Sequence, residues 1–102
     1  MRIDFDNLGG PVYSGRPRGE SIRHKFGLDK LDKGNEVVEV NIPESTYSIT
    51  SSFFLGLFGQ SILNAGTKDK FFTKYRFISK KTHQDAIEEY VNRALQAKSL
   101  FS

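Results

Sequence analysis

The segment that indicates the fold most clearly reads Ser48-Ile49-Thr50-Ser51-Ser52-Phe53-Phe54-Leu55-Gly56-Leu57-Phe58. A run of hydroxyl residues stands directly before a strongly apolar run, and this order is typical of the start of a helix. A side-chain oxygen at such a junction accepts a hydrogen bond from a backbone N–H that otherwise lacks a partner. Helix starts also bind anions. The segment therefore predicts a helix cap and, at the same place, a candidate regulated site.

The residues on either side of this junction predict a strand and a helix. Residues 36–42 are rich in valine and almost continuously apolar, which indicates a central or parallel strand buried on both faces. The helix is expected to begin at Ser51 or Ser52, with Ser52 as its cap, and to end near Asn64, before Gly66. Apolar side chains surround almost the whole helix, so it is either fully buried or presents one face to a partner.

The rest of the chain alternates between strand and helix patterns. Residues 2–6 and 71–78 alternate polar and apolar side chains, as half-buried strands do, and residues 11–13 fit an edge strand. A first helix is expected from residues 14–17 to Gly27, and Thr82 is expected to cap the last one. We therefore predict an α/β sandwich with a mixed sheet of about four strands and three helices. Residues 1–102 are expected to form one domain, with residues 99–102 frayed.

Composition limits the classes of protein to which the chain can belong. The 102 residues carry a net charge of +3, and they include nine phenylalanines but no cysteine. The lack of cysteine excludes disulfides and thiolate metal sites. The longest apolar run is far too short to span a bilayer, and no signal-peptide pattern stands at the N-terminus. We therefore expect a cytoplasmic protein that does not bind a membrane.

Three parts of the chain together resemble a STAS domain. They are residues 14–20 with their two arginines and two glycines, the valine-rich strand with the 49–53 junction, and the strand and helix within residues 72–97. These parts cover roughly four-fifths of the chain. The match is closest to the bacterial and phage family of STAS-like domains of unknown function. The resemblance implies a small STAS-like sandwich that regulates another protein and has no catalytic activity of its own.

The best-known STAS proteins are the anti-sigma-factor antagonists, in which the junction reads Asp-Ser-Ser-Gly-Leu-Gly. Thr50 stands at the position of the aspartate, Phe53 at that of the glycine and Phe54 at that of the leucine. Ser52 falls on the serine that partner kinases phosphorylate in that group. The resemblance therefore implies that Ser52, with Ser51 beside it, is a candidate phosphoacceptor. It also implies a histidine-kinase-like ATPase or another regulatory protein as the partner.

The face expected to bind a protein partner combines the start of the apolar helix with the loop at residues 43–49. Its predicted residues are Thr50, Ser51, Ser52, Phe53 and Phe54, together with Arg16 and Arg18 of the basic first helix. A phosphate on the serine would gain from the helix dipole, and its charge would disrupt an apolar docking face beside it. Partner binding would then change while the domain stays folded. A simple helix cap without regulation stays open as the alternative.

No catalytic or metal-binding constellation is predicted. A hydrolase triad of Ser52, His83 and Asp85 lacks the nucleophile-elbow pattern. His24 and His83 are expected at helix surfaces, and neither has a carboxylate at ligand spacing on the same helical face. We therefore expect no enzyme activity, no cofactor and no metal.

Two other interpretations stay open. The first helix carries several basic residues, and residues 71–77 interleave aromatic rings with cations, as in some small nucleic-acid-binding proteins. The positive charge is spread along the chain, however, so nucleic acid is not the expected partner. An inhibitor from a mobile element, directed at a host protein, cannot be distinguished from a regulatory module. The expected oligomeric state is a monomer or a weak dimer.

Overall fold

The computed structural model of the chain describes residues 1–97 in full, and of residues 98–101 only their place at the end of the last helix. The fraying expected for residues 99–102 lies outside the described residues. Five strands, five α-helices and a 3-10 turn (Phe5–Asn7) follow one another within the described chain. They are β1 (Arg2–Asp4), β2 (Val12–Tyr13), α1 (Arg16–Phe26), α2 (Leu28–Lys33), β3 (Val38–Asn41), β4 (Ser48–Ile49), α3 (Ser51–Ala65), α4 (Lys68–Lys74), β5 (Tyr75–Ile78) and α5 (Lys81–Phe101).

The strands form two small sheets in which every pair is parallel. Strand β3 lies between β1 and β5 in a three-stranded sheet, and β2 pairs with β4. The valine-rich strand is therefore confirmed as central and parallel, and the α/β class is confirmed. The strand's predicted burial on both faces is wrong, because Glu39 of β3 is exposed. The predicted mixed sheet of about four strands with three helices is wrong. The short strand β2, which follows Gly9 and Gly10, and the short strand β4, at the end of the loop at residues 43–49, pair with each other instead of joining the larger sheet.

The three-stranded sheet has one covered face and one open face, because side chains alternate along each strand. The covered face consists of Val38 and Tyr75 and of the cross-strand row Ile3–Val40–Phe77, whose members pack into the core. Two further rows point to the opposite face, where their side chains are exposed or half-exposed: Arg2–Glu39–Arg76 and Asp4–Asn41–Ile78.

Helix α3 forms the centre of the core. Its buried apolar side chains are Phe53, Phe54, Leu57, Phe58 and Ile62. The helix begins as expected at Ser51 and ends one residue later than predicted, where Gly66 adopts the left-handed conformation. Its cap is Thr50, whose Oγ1 accepts the N–H of Phe53 at 3.3 Å. The prediction that Ser52 is the cap is therefore wrong, because the hydroxyl two residues earlier already has the capping geometry.

Helix α1 crosses α3 at very short range because each helix presents a glycine to the backbone of the other. A Cβ added at Gly19 would lie 2.8 Å from the backbone nitrogen of Leu57. One added at Gly56 would lie 3.2 Å from the Cα of Arg16. Neither position has room for a side chain, so these glycines fix the distance between α1 and the start of α3.

Two helix boundaries differ from the predicted pattern. Residues 71–74 belong to α4, so the strand predicted for residues 71–78 begins only at Tyr75. Thr67 explains this helix, because its Oγ1 caps the first turn by accepting the N–H of Lys70 at 3.2 Å. Helix α5 begins before Thr82, so that residue is not the cap, and α5 packs against α3.

Across the described residues, no helix combines the length and the apolar character needed to cross a bilayer.

Candidate functional site at the start of α3

The start of α3 presents two serines to solvent. The side chain of Ser52 is exposed and that of Ser51 is half-exposed. The Oγ of Ser52 lies 3.2 Å from the Oγ1 of Thr50, which is its only hydrogen-bonding neighbour among the described side chains. No acidic residue stands in the first turn of the helix. The positive end of the helix dipole therefore meets no negative side chain within that turn.

The loop that leads into α3 is held by the β2–β4 pairing on one side. The N–H of Tyr47 donates to the carbonyl of Pro11 at 2.8 Å, and the N–H of Thr50 donates to the carbonyl of Tyr13 at 2.9 Å. The side chain of Tyr47 is nevertheless 80% exposed, the largest exposed fraction among the large apolar side chains of the described chain. An aromatic ring is thus presented to solvent on a backbone that is fixed in place.

Helix α5 holds the same loop from the other side. The hydroxyl of Tyr90 donates to the carbonyl of Ile49 at 2.8 Å. The Nε2 of His83 lies 2.9 Å from the carbonyl oxygen of Thr46, to which it donates. His83 is buried, so its predicted place at a helix surface is wrong, because the ring is needed to satisfy a buried carbonyl. His24 is exposed, as expected.

The two phenylalanines that follow the serines lie in the core. Phe53 and Phe54 have 0% and 1% of their surface exposed. Phe53 packs against the ring of Tyr13 at 5.4 Å, and Phe54 packs against that of Tyr90 at 5.6 Å. Their predicted role on a partner-binding face is therefore wrong for this conformation. Both rings instead contribute their large apolar area to the core of this small domain.

The two arginines assigned to the binding face have different surroundings. Arg16 is exposed at the first position of α1, and its backbone lies against Gly56 of α3. The guanidinium of Arg18 donates to the carbonyls of residues 8, 9 and 12 at 2.8–3.1 Å and lies 4.9 Å from the ring centroid of Tyr13. Arg18 thus ties the turn before β2 to α1. Arg18 is half-exposed and Arg16 is exposed, so the role of both on the binding face stays a prediction.

A groove lies along the face of α3 that contains Ser52, beginning one helical turn after it. Residues four apart lie on one face of a helix, so Ser52 shares a face of α3 with Gly56. That face continues through Gly59 and Leu63, which line a groove of about 610 Å³ between α1, α3 and α5. Arg16 lines the groove from α1. The exposed serine and Arg16 are therefore brought to the same part of the surface.

A second group of polar side chains lies inside the molecule, and no sequence pattern predicts it. We define the Arg23 cluster as Arg23, Asp32, Ser61 and Tyr75. The guanidinium of Arg23 donates to Asp32 Oδ2 at 2.9 Å and to Ser61 Oγ at 2.7 Å. The Tyr75 hydroxyl donates to Asp32 Oδ1 at 2.5 Å. Arg23 is one of the basic residues of the first helix, but its side chain is buried.

The Arg23 cluster shifts the pKa values of two of its members. Burial raises the pKa of Asp32, but the hydrogen bonds from Tyr75, Ser61, Arg23 and Asn64 outweigh it and hold the pKa below its ordinary value. Burial, with the hydrogen bond to Asp32 second, raises the pKa of the Tyr75 phenol well above its ordinary value. In the described part of the chain, no buried side-chain nitrogen or oxygen lacks a partner. The cluster is therefore fully satisfied from within.

The residues considered for a hydrolase triad lie in three different surroundings. Ser52 contacts Thr50, the ring of His83 bonds to the Thr46 carbonyl, and Asp85 pairs with Lys81 at 3.2 Å. The structure brings none of the three into a hydrogen bond with another. Among the residues that the structure describes, no group of three His, Asp or Glu side chains could hold a metal ion.

Comparisons with protein-family models, with curated proteins and with solved structures find no match for this chain. The interpretation of the site therefore depends on its geometry. Tyr47 lies within the loop predicted as part of the binding face, but the β2–β4 pairing that fixes and exposes it could not be predicted from local sequence.

Proposed function

We propose that the chain is a non-catalytic protein-interaction module, similar to a STAS domain, that acts in a cytoplasmic partner switch. In this switch a histidine-kinase-like ATPase phosphorylates Ser52. The observation that carries the proposal is the exposed hydroxyl of Ser52 in the first turn of a helix that Thr50 already caps. Because Thr50 provides the cap, Ser52 is free to be modified without loss of a structural hydrogen bond to the backbone.

The surroundings of Ser52 favour a phosphate electrostatically. The positive end of the helix dipole stabilises an anion at this position, and no acidic residue in the first turn opposes it. Arg16 is exposed, and its backbone lies against Gly56, one turn of α3 after Ser52, so a cation stands on the same side of the helix. The first turn is anchored by the buried rings of Phe53 and Phe54. A phosphate would therefore change the surface without unfolding the helix.

The accessible residues around Ser52 suggest how a partner would bind. Tyr47 is an exposed aromatic residue on a fixed loop, and exposed aromatic residues provide much of the binding energy in protein interfaces. A loop that is already ordered loses little entropy on binding. We assign the partner-binding face to Tyr47, Ser51, Ser52 and Arg16. A doubly negative phosphate at Ser52 would place charge on this face and weaken the docking of an uncharged partner surface.

The basic residues of α1 support a protein partner rather than nucleic acid. Arg18 bonds to three carbonyls and Arg23 is buried with Asp32, so neither guanidinium is available for a phosphate backbone. The remaining exposed cations of this helix are too few for strong phosphate binding, which requires several simultaneous contacts. Binding to DNA or RNA at physiological salt is therefore not expected.

A phosphorylation assay tests the proposal. The protein is incubated with ATP and, one at a time, with each purified histidine-kinase-like ATPase encoded in the same genome, and the product is mapped by mass spectrometry. We expect a single phosphate on Ser52, no phosphate on the Ser52→Ala variant, and normal phosphorylation of Ser45→Ala, which changes an exposed serine of the preceding loop. If no ATPase modifies the protein, or if the phosphate lies on another residue, the proposal is wrong.

A further inference from the structure

The open face of the three-stranded sheet is unusual for parallel strands. Parallel sheets are almost always covered on both faces. Here three of the five large apolar side chains classed as exposed in the described chain lie together: Met1, Val37 and Ile78. With Glu39 and Arg76 they line a concave surface of about 600 Å³. Exposed apolar side chains grouped beside polar ones are typical of a surface that another protein covers.

The charges on the open face are balanced and arranged in rows. Arg2 pairs with Glu39 at 2.7 Å and lies 3.7 Å from Asp4. Arg76 is exposed and forms no ion pair with any residue that the structure describes. The face therefore presents two cations and two anions, with Asn41 and Ile78 completing the second row. Such a face lacks the net charge that would repel a copy of itself.

We propose that this open face binds the same face of a second copy of the chain in a two-fold symmetric dimer. The strand register selects one arrangement. With the two-fold axis along the strands, Arg2 would face Arg76 of the second copy, and Glu39 would face Glu39. With the axis across the strands, between the two rows, Arg2 faces Asp4 and Glu39 faces Asn41 of the second copy. Only the second arrangement brings opposite charges together, and each contact then occurs twice.

The size of the face predicts a weak association. It spans three strands of three or four residues, which is small beside the roughly 800 Å² per partner of a stable interface. We therefore expect a weak dimer that forms only at high protein concentration. The dimer face is separate from the partner-binding face, because the row that contains Phe77 packs its side chains toward α3. The dimer thus goes beyond the proposed switch and does not depend on it.

Analytical ultracentrifugation of the whole chain, from 10 µM to 1 mM at low salt, tests the proposal. We expect a reversible monomer–dimer equilibrium. Ile78→Lys should raise its dissociation constant at least about tenfold, because Ile78 faces Arg76 of the second copy in this arrangement and like charges would then meet. The matched control is Val12→Lys, since Val12 is 46% exposed and Ile78 is 47% exposed, but Val12 lies in the other sheet. A monomer at 1 mM, or an equal effect of both substitutions, overturns the proposal.

A charge exchange tests the arrangement of the two copies. Arg2→Glu and Asp4→Arg should each prevent self-association, because each variant brings like charges together across the axis. An equimolar mixture should form a heterodimer, in which each reversed side chain meets an opposite charge. Circular dichroism checks that Asp4→Arg folds, since Asp4 also accepts the N–H of Asp6 at 3.0 Å. Two folded variants that fail to associate in the mixture contradict the arrangement. If Asp4→Arg does not fold, the comparison of Ile78→Lys with Val12→Lys decides the dimer face.

Discussion

Two serines of α3 have the same chemistry and opposite surroundings. Ser52, in the first turn, is exposed and contacts only the hydroxyl of Thr50. Ser61, in the third turn, is buried, accepts a hydrogen bond from Arg23 at 2.7 Å and donates one to Asp32 at 2.8 Å. One serine is therefore available to a kinase, and the other holds part of the interior together.

The comparison shows why a hydroxyl must be judged by its partners and not by its position in a sequence motif. Every polar atom of the Arg23 cluster is satisfied inside the protein, so loss of one member leaves another without its partner. At the start of α3 the cap is already made by Thr50, so a change at Ser52 leaves no buried group unsatisfied. We therefore expect large effects on stability at the first site and small ones at the second.

The largest expected effect is at Asp32. Asp29 and Asp32 both bind the guanidinium of Arg23, at 2.7 and 2.9 Å, but their side chains are 81% and 5% exposed. Asp32→Asn should lower the free energy of unfolding by about 3 kcal/mol, because it leaves a buried cation poorly compensated. Asp29→Asn, the matched control, should lower it by less than about 1 kcal/mol. Urea unfolding measures the stability of both variants. Equal losses of stability would show that burial of the carboxylate does not determine how much its ion pair with Arg23 contributes.

The pH dependence of stability should reflect the same cluster. The folded protein holds the pKa of Asp32 below its ordinary value of 3.8, so the carboxylate stabilises the fold above that pH and loses its contribution as the pH falls. The difference between the parent and Asp32→Asn should therefore shrink between pH 5 and pH 2. Tyr75 has a raised pKa, so stability should also fall as the pH rises above its ordinary value of 10.0. Unfolding curves measured at acid pH test the contribution of Asp32, and curves measured above pH 10 test that of Tyr75.

An intermediate effect is expected at Ser61. Ser61→Ala removes one acceptor of Arg23 and one donor to Asp32, and should lower the free energy of unfolding by about 1–3 kcal/mol. The matched variant is Ser52→Ala on the same helix, which should change it by less than about 0.5 kcal/mol. If both variants unfold at the same denaturant concentration, the distinction between the two serines is wrong.

A smaller effect is expected at Thr50. Thr50→Ala removes the side-chain acceptor of the Phe53 N–H and should lower the free energy of unfolding by about 1 kcal/mol. Thr50→Ser keeps the hydroxyl and should restore most of the loss. If Thr50→Ala has no effect while Ser52→Ala destabilises the protein, the cap is Ser52, and the serine would not be free for modification.

Local signals in the sequence predicted α3 and β3 well. The hydroxyl run, the apolar composition and Gly66 define α3 without reference to other elements. The valine-rich residues 36–42 indicated a central strand, but they wrongly predicted burial on both faces. The alternation of aromatic and polar residues in 71–78 wrongly predicted a strand over the whole segment. Thr67 caps a helix there, so residues 71–74 belong to α4. The capping rules that identified α3 could have found this signal.

The remaining features could not be predicted because they depend on contacts between distant parts of the chain. The Arg23 cluster joins side chains from α1, α2, α3 and β5, and nothing near Arg23 in the sequence distinguishes it from an exposed cation. The exposure of Tyr47 depends on the pairing of β2 with β4. The predicted candidate site was therefore right about Ser52 as an accessible hydroxyl and wrong about Phe53 and Phe54, whose side chains lie in the core.

The most direct test of the central claim measures stability and binding on the Ser52→Asp variant. A carboxylate in the first turn of α3 interacts favourably with the helix dipole, so the free energy of unfolding should change by less than about 1 kcal/mol. Affinity for the ATPase that phosphorylates the parent protein, measured by calorimetry, should fall at least about tenfold, a loss of about 1.4 kcal/mol. Unchanged affinity at unchanged stability would contradict the switch and leave Ser52 as an exposed residue without a regulatory role.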